Sequence, residues 1–183
     1  MKAASKREQS DACIDSAECE QARAKLTLYH GSNVIIDQID LSKSRPFKDF
    51  GRAFYLSADE QQAWERAYAA VNIWGGEPYV TAFEFDESLM NAGEMKVLQF
   101  DAYTEQWADF IFANRNRRKP AFSHNYDIVY GPIANDKVGE QVVLFKGGYI
   151  TKERFLRKLK NMKGITFQYA FCTEAAIAKL KKL

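Results

Sequence analysis

Apolar and polar positions alternate in several short stretches of the chain, and this alternation is typical of β-strands. The predicted strands are LTLYHGS from Leu26, GRAFYLS, PYVTAFEFD, MKVLQF, residues 127–130 and ITFQYAFCT. The run GEQVVLFKGG, which ends at two glycines, is predicted to be a further strand at the edge of a sheet.

Other stretches carry apolar residues at helical spacing and predict helices over 58–71, 103–115, 151–160 and 174–182. Ser57 and Glu60 have the spacing of a capping box, in which each side chain satisfies a backbone N–H of the other residue. Because strands and helices alternate irregularly and short turns join several strands, the pattern predicts an α+β fold with helices flanking a mostly antiparallel sheet.

The chain divides into two regions of different composition. Residues 1–25 have balanced charges and a single large aliphatic residue, Ile14, after the first Met, so they are predicted to form a mobile tail or a solvated helix. Residues 26–183 have the length of a single globular domain, for which about 100–200 residues are usual.

Charge is distributed unevenly along the chain. The total is +2, but residues 146–183 hold ten Lys or Arg and two Asp or Glu, a net +8 that would attract anionic ligands. No run approaches the roughly 20 apolar residues that a membrane-spanning helix needs. The first residues lack the apolar segment of a secretory signal, so we expect a cytoplasmic protein without a membrane partner.

Cysteine and histidine are too few to predict a metal centre or a disulfide framework. The three cysteines are Cys13, Cys19 and Cys172, no CxxC motif is present, and the chain has two histidines. We therefore expect reduced thiols and no metal.

Three predicted strands each place a polar side chain among aromatic residues: His30 in LYHGS, Tyr55 in GRAFYLS and Gln168 in ITFQYAF. Gly31 lacks a Cβ, which would let a flat ligand approach its backbone N–H and C=O. Each motif alone has an ordinary explanation, since His-Gly often forms a turn, a strand Tyr usually packs, and a strand Gln usually faces solvent.

Taken together and in this order, the motifs resemble those of ADP-ribosyltransferases of the diphtheria-toxin and poly(ADP-ribose) polymerase type. More closely, the chain resembles the bacterial domain-of-unknown-function family 3990. The segments that carry the resemblance are LYHGS, SRPFKDFGRAFYLS with a following helix that holds Ala63-Trp64, YDIVYGPIANDKV, GGYITKE and FQYAFCTEAA. The resemblance spans roughly residues 26–183.

This resemblance implies an ADP-ribosyltransferase-like split sheet and an NAD+-dependent mono-ADP-ribosyltransferase. Such an enzyme cleaves the nicotinamide–ribose bond of its substrate NAD+ and transfers ADP-ribose to a protein or nucleic-acid acceptor. The resemblance also suggests a bacterial toxin or effector that is held by a small antitoxin protein.

The resemblance assigns roles to several residues. His30 would hydrogen-bond a ribose hydroxyl, the backbone of Gly31 would bind the nicotinamide carboxamide, and Tyr55 would stack on the nicotinamide ring. Ser32 and Gly51 would contribute to NAD+ binding beside them.

Three larger side chains near these motifs have two interpretations each. Arg45 and Arg52 would meet the pyrophosphate, or they would brace the surface loop to which they belong. Trp64 would form a second wall of the nicotinamide pocket, or it would pack in the core.

The third motif position departs from the most active members of the superfamily, which place a glutamate there. Gln168 accepts the same hydrogen bond but brings no charge, and a charge-assisted bond is roughly twice as strong. An acid from elsewhere in the chain would compensate, and Glu84 and Glu174 are the candidates.

Two alternatives to a transferase remain open. One is a degenerate module that binds NAD+ or ADP-ribose without turnover, because of Gln168. The other is a nucleic-acid-binding protein or a metal-independent ribonuclease with His30 and His124 as acid and base. The basic and aromatic residues that suggest it are Arg115, Arg117, Arg118, Lys119, Phe122, His124 and Tyr126.

Overall fold

The computed structural model of the chain describes residues 25–118, 120–134, 136–161 and 164–183. The expectations for residues 1–24, for Cys13 and Cys19 and for Lys119 therefore lie outside the described residues. Lys25, which the sequence assigned to the tail, is the first residue of a strand.

Within these ranges the chain forms strands and helices in an interleaved order. The strands are β1 (Lys25–Ser32), β2 (Phe54–Leu56), β3 (Tyr79–Asp86), β4 (Val97–Gln99), β5 (Ile128–Pro132), β6 (Phe167–Phe171) and β7 (Lys181–Lys182). The α-helices are α1 (Glu60–Trp74), α2 (Glu105–Asn114), α3 (Asp136–Lys146), α4 (Lys152–Lys160) and α5 (Glu174–Ile177). Short 3-10 helices cover Leu41–Lys43 and Glu87–Met90. None of the helices in the described ranges is both long and apolar enough to cross a membrane.

The strands form two sheets, and the predicted α+β class is confirmed. One sheet has the order β1-β3-β7 and the other has the order β2-β6-β5-β4. Every pairing is antiparallel except that of β4 with β5. The sheets meet where Tyr29 of β1 and Ser57, just after β2, exchange backbone hydrogen bonds of 2.7 and 2.9 Å.

The four-stranded sheet is buried on both faces. One face packs against the helices in a cluster that includes Trp107, Val129 and Phe155, and the other packs against the three-stranded sheet in a cluster that includes Ile128 and Phe171. Neighbouring residues of β5 therefore enter different clusters, as the alternation of side chains along a strand requires.

The predicted edge strand in GEQVVLFKGG is wrong, because this run belongs to helix α3. Val138 and Val142, four residues apart, are buried, while Val143 is 66% exposed. That spacing is one face of a helix, and the adjacent valines gave the run its strand-like appearance.

The predicted closing helix is also shorter than expected. Helix α5 ends at Ile177, and Lys181 and Lys182 form β7, which pairs with Glu84 and Phe83 of β3. Pairing with an otherwise open strand edge satisfies the backbone of this segment without a further helical turn.

Helix α1 does not begin with the predicted capping box. Its N-cap is Asp59, whose carboxylate accepts hydrogen bonds from the backbone N–H groups of Gln61 and Gln62, and the hydroxyl of Ser57 accepts from the N–H of Asp59. The helix runs to Trp74 and ends at Gly75, whose φ of 73° suits glycine.

Gly31 lies where α1 crosses β1. A Cβ at Gly31 would overlap the carbonyl oxygen of Ala63 and lie 2.9 Å from the backbone nitrogen of Ala67. Ala63 and Ala67 are the buried residues of α1. A glycine is thus required at position 31 by the close contact between α1 and β1, because a Cβ there would point into the helix.

We predict that Gly31→Ala destabilises the protein by about 3 kcal/mol, near the upper end of the usual cost of overpacking, because α1 must move away from β1. Gly139→Ala is the control, since a Cβ there meets no atom within 4 Å and Gly139 lies in a helix. It should stabilise the protein by up to ~1 kcal/mol through helix propensity. Urea unfolding measures both, and similar effects of the two substitutions would contradict the packing assigned to Gly31.

Candidate functional site

A cavity of about 840 Å³ opens where the two sheets meet. Its walls come from the end of β1, residues 45–49, the end of β2, one side of α1, and residues that follow α2 and β5 or belong to β6. His30, Gly31, Tyr55, Arg45 and Gln168 all line it. Motif residues from three different strands are thus brought together in one place.

His30 presents a hydrogen-bond acceptor to this cavity. Its Nδ1 lies 2.8 Å from the carbonyl oxygen of Tyr55, and its ring stacks on Phe54 with centroids 4.2 Å apart. A carbonyl accepts only, so Nδ1 carries the proton and Nε2 is the acceptor. Burial, with help from the positive charges of Lys48 and Arg66, lowers the pKa of His30 to about 4. The ring is therefore neutral at pH 7.

Tyr55 contributes its ring rather than its hydroxyl. The hydroxyl donates to the carbonyl oxygen of Gly51 at 2.7 Å and accepts from the N–H of Phe50 at 3.1 Å. Burial raises the pKa of Tyr55 well above its usual value. The hydroxyl therefore closes the loop 50–55 and is unsuited to carrying protons.

Lys48 lies over this ring. Its Nζ is 4.7 Å from the centroid of Tyr55, a cation–π contact. Burial, and then the charges of Arg66 and Arg45, lower the pKa of Lys48 to about 8. A ligand ring that stacks on this face of Tyr55 must displace the ammonium group.

Asp49 is a buried carboxylate in the cavity wall, 7% exposed. Its Oδ1 accepts from Nε of Arg115 at 2.7 Å. Its Oδ2 accepts from the N–H of Ala134 at 3.0 Å and from Nε2 of Gln168 at 3.4 Å. The sequence interpretation missed this residue, although an acid within the basic segment SRPFKDFGR was a usable signal.

The backbone of Gly31 faces the cavity. Along an antiparallel strand the N–H and C=O groups of alternate residues point to the same side. Tyr29 bonds Ser57 on the side away from β3, so Gly31, two residues later, directs its N–H and C=O to that side as well. On that side, the chain that follows Ser57 turns away into α1. The N–H donor and the C=O acceptor of Gly31 therefore lie side by side and face the cavity.

Cations outnumber carboxylates in the cavity wall. The cations are Arg45, Lys48, Arg66, Arg115 and Arg117, and the carboxylates are Asp49 and Glu65. Arg45 also lies over the ring of Trp74, with its guanidinium carbon 5.0 Å from the centroid. The excess positive charge suits an anionic ligand.

Other predicted binding residues lie outside the cavity. Ser32 accepts a hydrogen bond from the N–H of Val34, and Arg52 donates to the carbonyl oxygen of Ser42 at 2.7 Å, which is the loop-bracing interpretation. Gly51 supports the site indirectly through Tyr55. Trp64 is 37% exposed on α1 and bonds Glu60, so neither of its two interpretations is confirmed.

Neither candidate acid is near Gln168. Glu84 pairs with Lys25 and Lys181 on the three-stranded sheet, and Glu174 lies in the first turn of α5. The carboxylate that reaches Gln168 is Asp49.

The two histidines do not share the cavity. His124 donates from Nε2 to the carbonyl oxygen of Phe50 at 3.1 Å and accepts at Nδ1 from the N–H of Tyr126. Both of its nitrogens are thus occupied in supporting the loop behind the cavity. In the part of the chain that the structure describes, no group of three His, Cys, Asp or Glu side chains is placed to hold a metal ion.

The model of a protein family described as "Protein of unknown function (DUF3990)" matches residues 26–182, nearly the whole domain. The chain belongs to the DUF3990 family. No curated protein and no solved structure is significantly similar to it. The family assignment predicted from the motifs is confirmed.

The lowered pKa of His30 gives a prediction for acid stability. A group whose pKa is about 4 when folded and about 6.5 when unfolded contributes stability above pH 6.5 that is lost as the pH falls through 4. Between pH 7 and pH 4 the wild type should lose up to about 3 kcal/mol more than His30→Asn. Urea unfolding at several pH values measures this difference, and parallel pH profiles would contradict a neutral, buried His30.

Proposed function

We propose that the cavity binds NAD+ and that the protein is an NAD+-dependent mono-ADP-ribosyltransferase. The observation that carries this proposal is the convergence of His30, the backbone of Gly31, Tyr55 and Gln168 on one cavity. These are the positions that the resemblance to ADP-ribosyltransferases assigns to NAD+. The two sheets that meet beside β1 also support a split-sheet fold of that type.

The nicotinamide end of NAD+ fits the region between Gly31 and Tyr55. A carboxamide has one acceptor and one donor group, which complement the N–H and C=O of Gly31. The planar ring then stacks on Tyr55 after Lys48 has moved aside, because the ammonium and the cationic pyridinium would repel each other at one ring face. Stacking serves to position the ring, since a pure cation–π attraction would favour the ground state.

The remaining parts of NAD+ also find partners. Nε2 of the neutral His30 accepts a hydrogen bond from a ribose hydroxyl. The pyrophosphate pairs with the cationic wall, where Arg45 offers bidentate contact and the displaced Lys48 offers a point charge. The cavity thus offers partners for the carboxamide on one side of the nicotinamide–ribose bond and for the ribose and pyrophosphate on the other.

In the reaction the bond between the nicotinamide nitrogen and C1′ of the ribose breaks. Its electron pair goes to the nicotinamide nitrogen, which loses its positive charge, and the ribose becomes oxocarbenium-like. A nucleophile of the acceptor then bonds C1′ and releases its proton to solvent. The carbonyl oxygen of Gln168 accepts from a ribose hydroxyl, and because this bond is neutral we expect slow, single transfer.

The resemblance extends the proposal to biology. We propose that the protein acts in the cytoplasm as a bacterial toxin or effector that modifies a protein or a nucleic acid. A small antitoxin protein would hold it in check. Co-purification of the active chain with such a partner would support this role.

The proposal is tested with NAD+ that carries a label in its adenylate half. Wild-type protein should release nicotinamide and transfer label to an acceptor in a bacterial extract. His30→Ala and Tyr55→Ala should reduce nicotinamide release by about 100-fold, the usual effect of misplacing a reactive group. Trp64→Ala is the control and should retain the wild-type rate, since its ring lies outside the cavity.

Heat unfolding separates the alternatives. If nicotinamide is not released but NAD+ still raises the melting temperature of the wild type and not of His30→Ala, the protein is a binding module. If NAD+ neither reacts nor stabilises the folded wild type, the proposed function is wrong.

A further inference from the structure

We propose that Asp49 is the positioning residue for Gln168: it turns the amide so that the carbonyl oxygen faces the cavity, and its charge requires a neutral residue at 168. The catalytic part of this inference rests on the proposed function. The structural part rests on the described contacts alone.

The orientation of the amide follows from the chemistry of the two groups. An ionised carboxylate accepts hydrogen bonds and donates none, so the side of the amide that faces Asp49 must be the NH2 group. Nε2 of Gln168 lies 3.4 Å from Oδ2 of Asp49. The oxygen of the same planar amide then points away from Asp49, and the side chain of Gln168 lines the cavity.

Asp49 is itself fixed and cannot turn to follow the amide. Arg115 and the N–H of Ala134 occupy its other acceptor positions, and the carboxylate is buried. These partners come from the residues after α2 and after β5. Gln168 is therefore held by a group that three parts of the fold hold in place.

This arrangement determines what the cavity offers to a ligand. Gln168 presents its carbonyl oxygen as an acceptor, which selects a hydroxyl rather than a second acceptor. The bond from the amide to an anion also polarises the carbonyl oxygen, since hydrogen bonds in a chain strengthen one another. The negative charge of Asp49 thus acts on the ligand through the amide of Gln168.

The same contact explains the absence of glutamate from position 168. A carboxylate there would lie about 3.4 Å from Oδ2 of Asp49. A half-buried carboxylate at 168 and the buried carboxylate of Asp49, which Arg115 already pairs, repel each other at that distance, so the pKa of one is raised. At high pH the second charge would force the two side chains apart.

The experiment compares Gln168→Glu with wild type between pH 5 and pH 8, by heat unfolding and by nicotinamide release. A raised folded pKa means that the variant loses stability as the pH rises, so its melting temperature should be near that of wild type at pH 5 and ~2–4 °C lower at pH 8. Its nicotinamide release relative to wild type should fall over the same range.

The matched control is Gln106→Glu, the same change at an exposed position in the first turn of α2. The positive end of a helix favours a carboxylate there. This variant should show no loss of melting temperature between pH 5 and pH 8 relative to wild type. Gln168→Met, which carries no charge, should also show none.

Replacing Asp49, the partner of Gln168, completes the test. In Asp49→Asn, the further change Gln168→Glu should no longer cause a pH-dependent loss, because the second carboxylate is gone. If the Asn variant does not fold, the comparison of Gln168→Glu with Gln106→Glu and Gln168→Met still decides the matter. If wild type releases no nicotinamide, the proposed function fails while the unfolding series still tests the Asp49 contact.

Two results would overturn the inference. One is a Gln168→Glu protein that is as stable as wild type at pH 8. The other is a pH-dependent loss of stability that persists unchanged when Asp49 is replaced by Asn.

Discussion

The cavity depends on the buried carboxylate of Asp49. Its partners are Arg115 after α2, Ala134 after β5 and Gln168 on β6, so one side chain ties its own loop to three separate parts of the fold. Removing this carboxylate would leave Arg115 without its ion-pair partner, which is costly. The loop also holds Phe47 at a φ of 64°, a strained value for a residue with a Cβ. We infer that Asp49 and the Tyr55 hydroxyl together hold the loop in this conformation.

The close contact between α1 and β1 is a second constraint, and it determines the cavity wall that β1 forms. Because Gly31 has no Cβ, α1 approaches β1 closely. Beyond the bridge between Tyr29 and Ser57, the backbone N–H and C=O of Gly31 are directed into the cavity. His30 is held between Phe54 and the carbonyl oxygen of Tyr55, and its burial keeps the ring neutral, so that Nε2 is an acceptor. A small number of contacts thus places a fixed set of donors, acceptors and one aromatic face around a cationic space.

The sequence predicted the parts of this site that follow from local pattern. The strands that carry His30, Tyr55 and Gln168, and the amphipathic helix α4, follow from alternation and helical spacing. The role of Asp49 could not be predicted in this way, because its partners are 66, 85 and 119 residues away and meet only in the folded chain. The position of Trp64 stayed open for a related reason. Helical spacing does not reveal that the small residues Ala63 and Ala67, required by Gly31, turn that face of α1 inward.

The central claim is that these groups surround NAD+. The most direct test is a crystal structure of the protein with a non-hydrolysable NAD+ analogue. We predict that the carboxamide bonds the backbone of Gly31, that the ring lies on Tyr55 with Lys48 displaced, and that a ribose hydroxyl donates to the carbonyl oxygen of Gln168. An analogue bound elsewhere, or an amide of Gln168 whose NH2 group faces the ligand, would contradict the account.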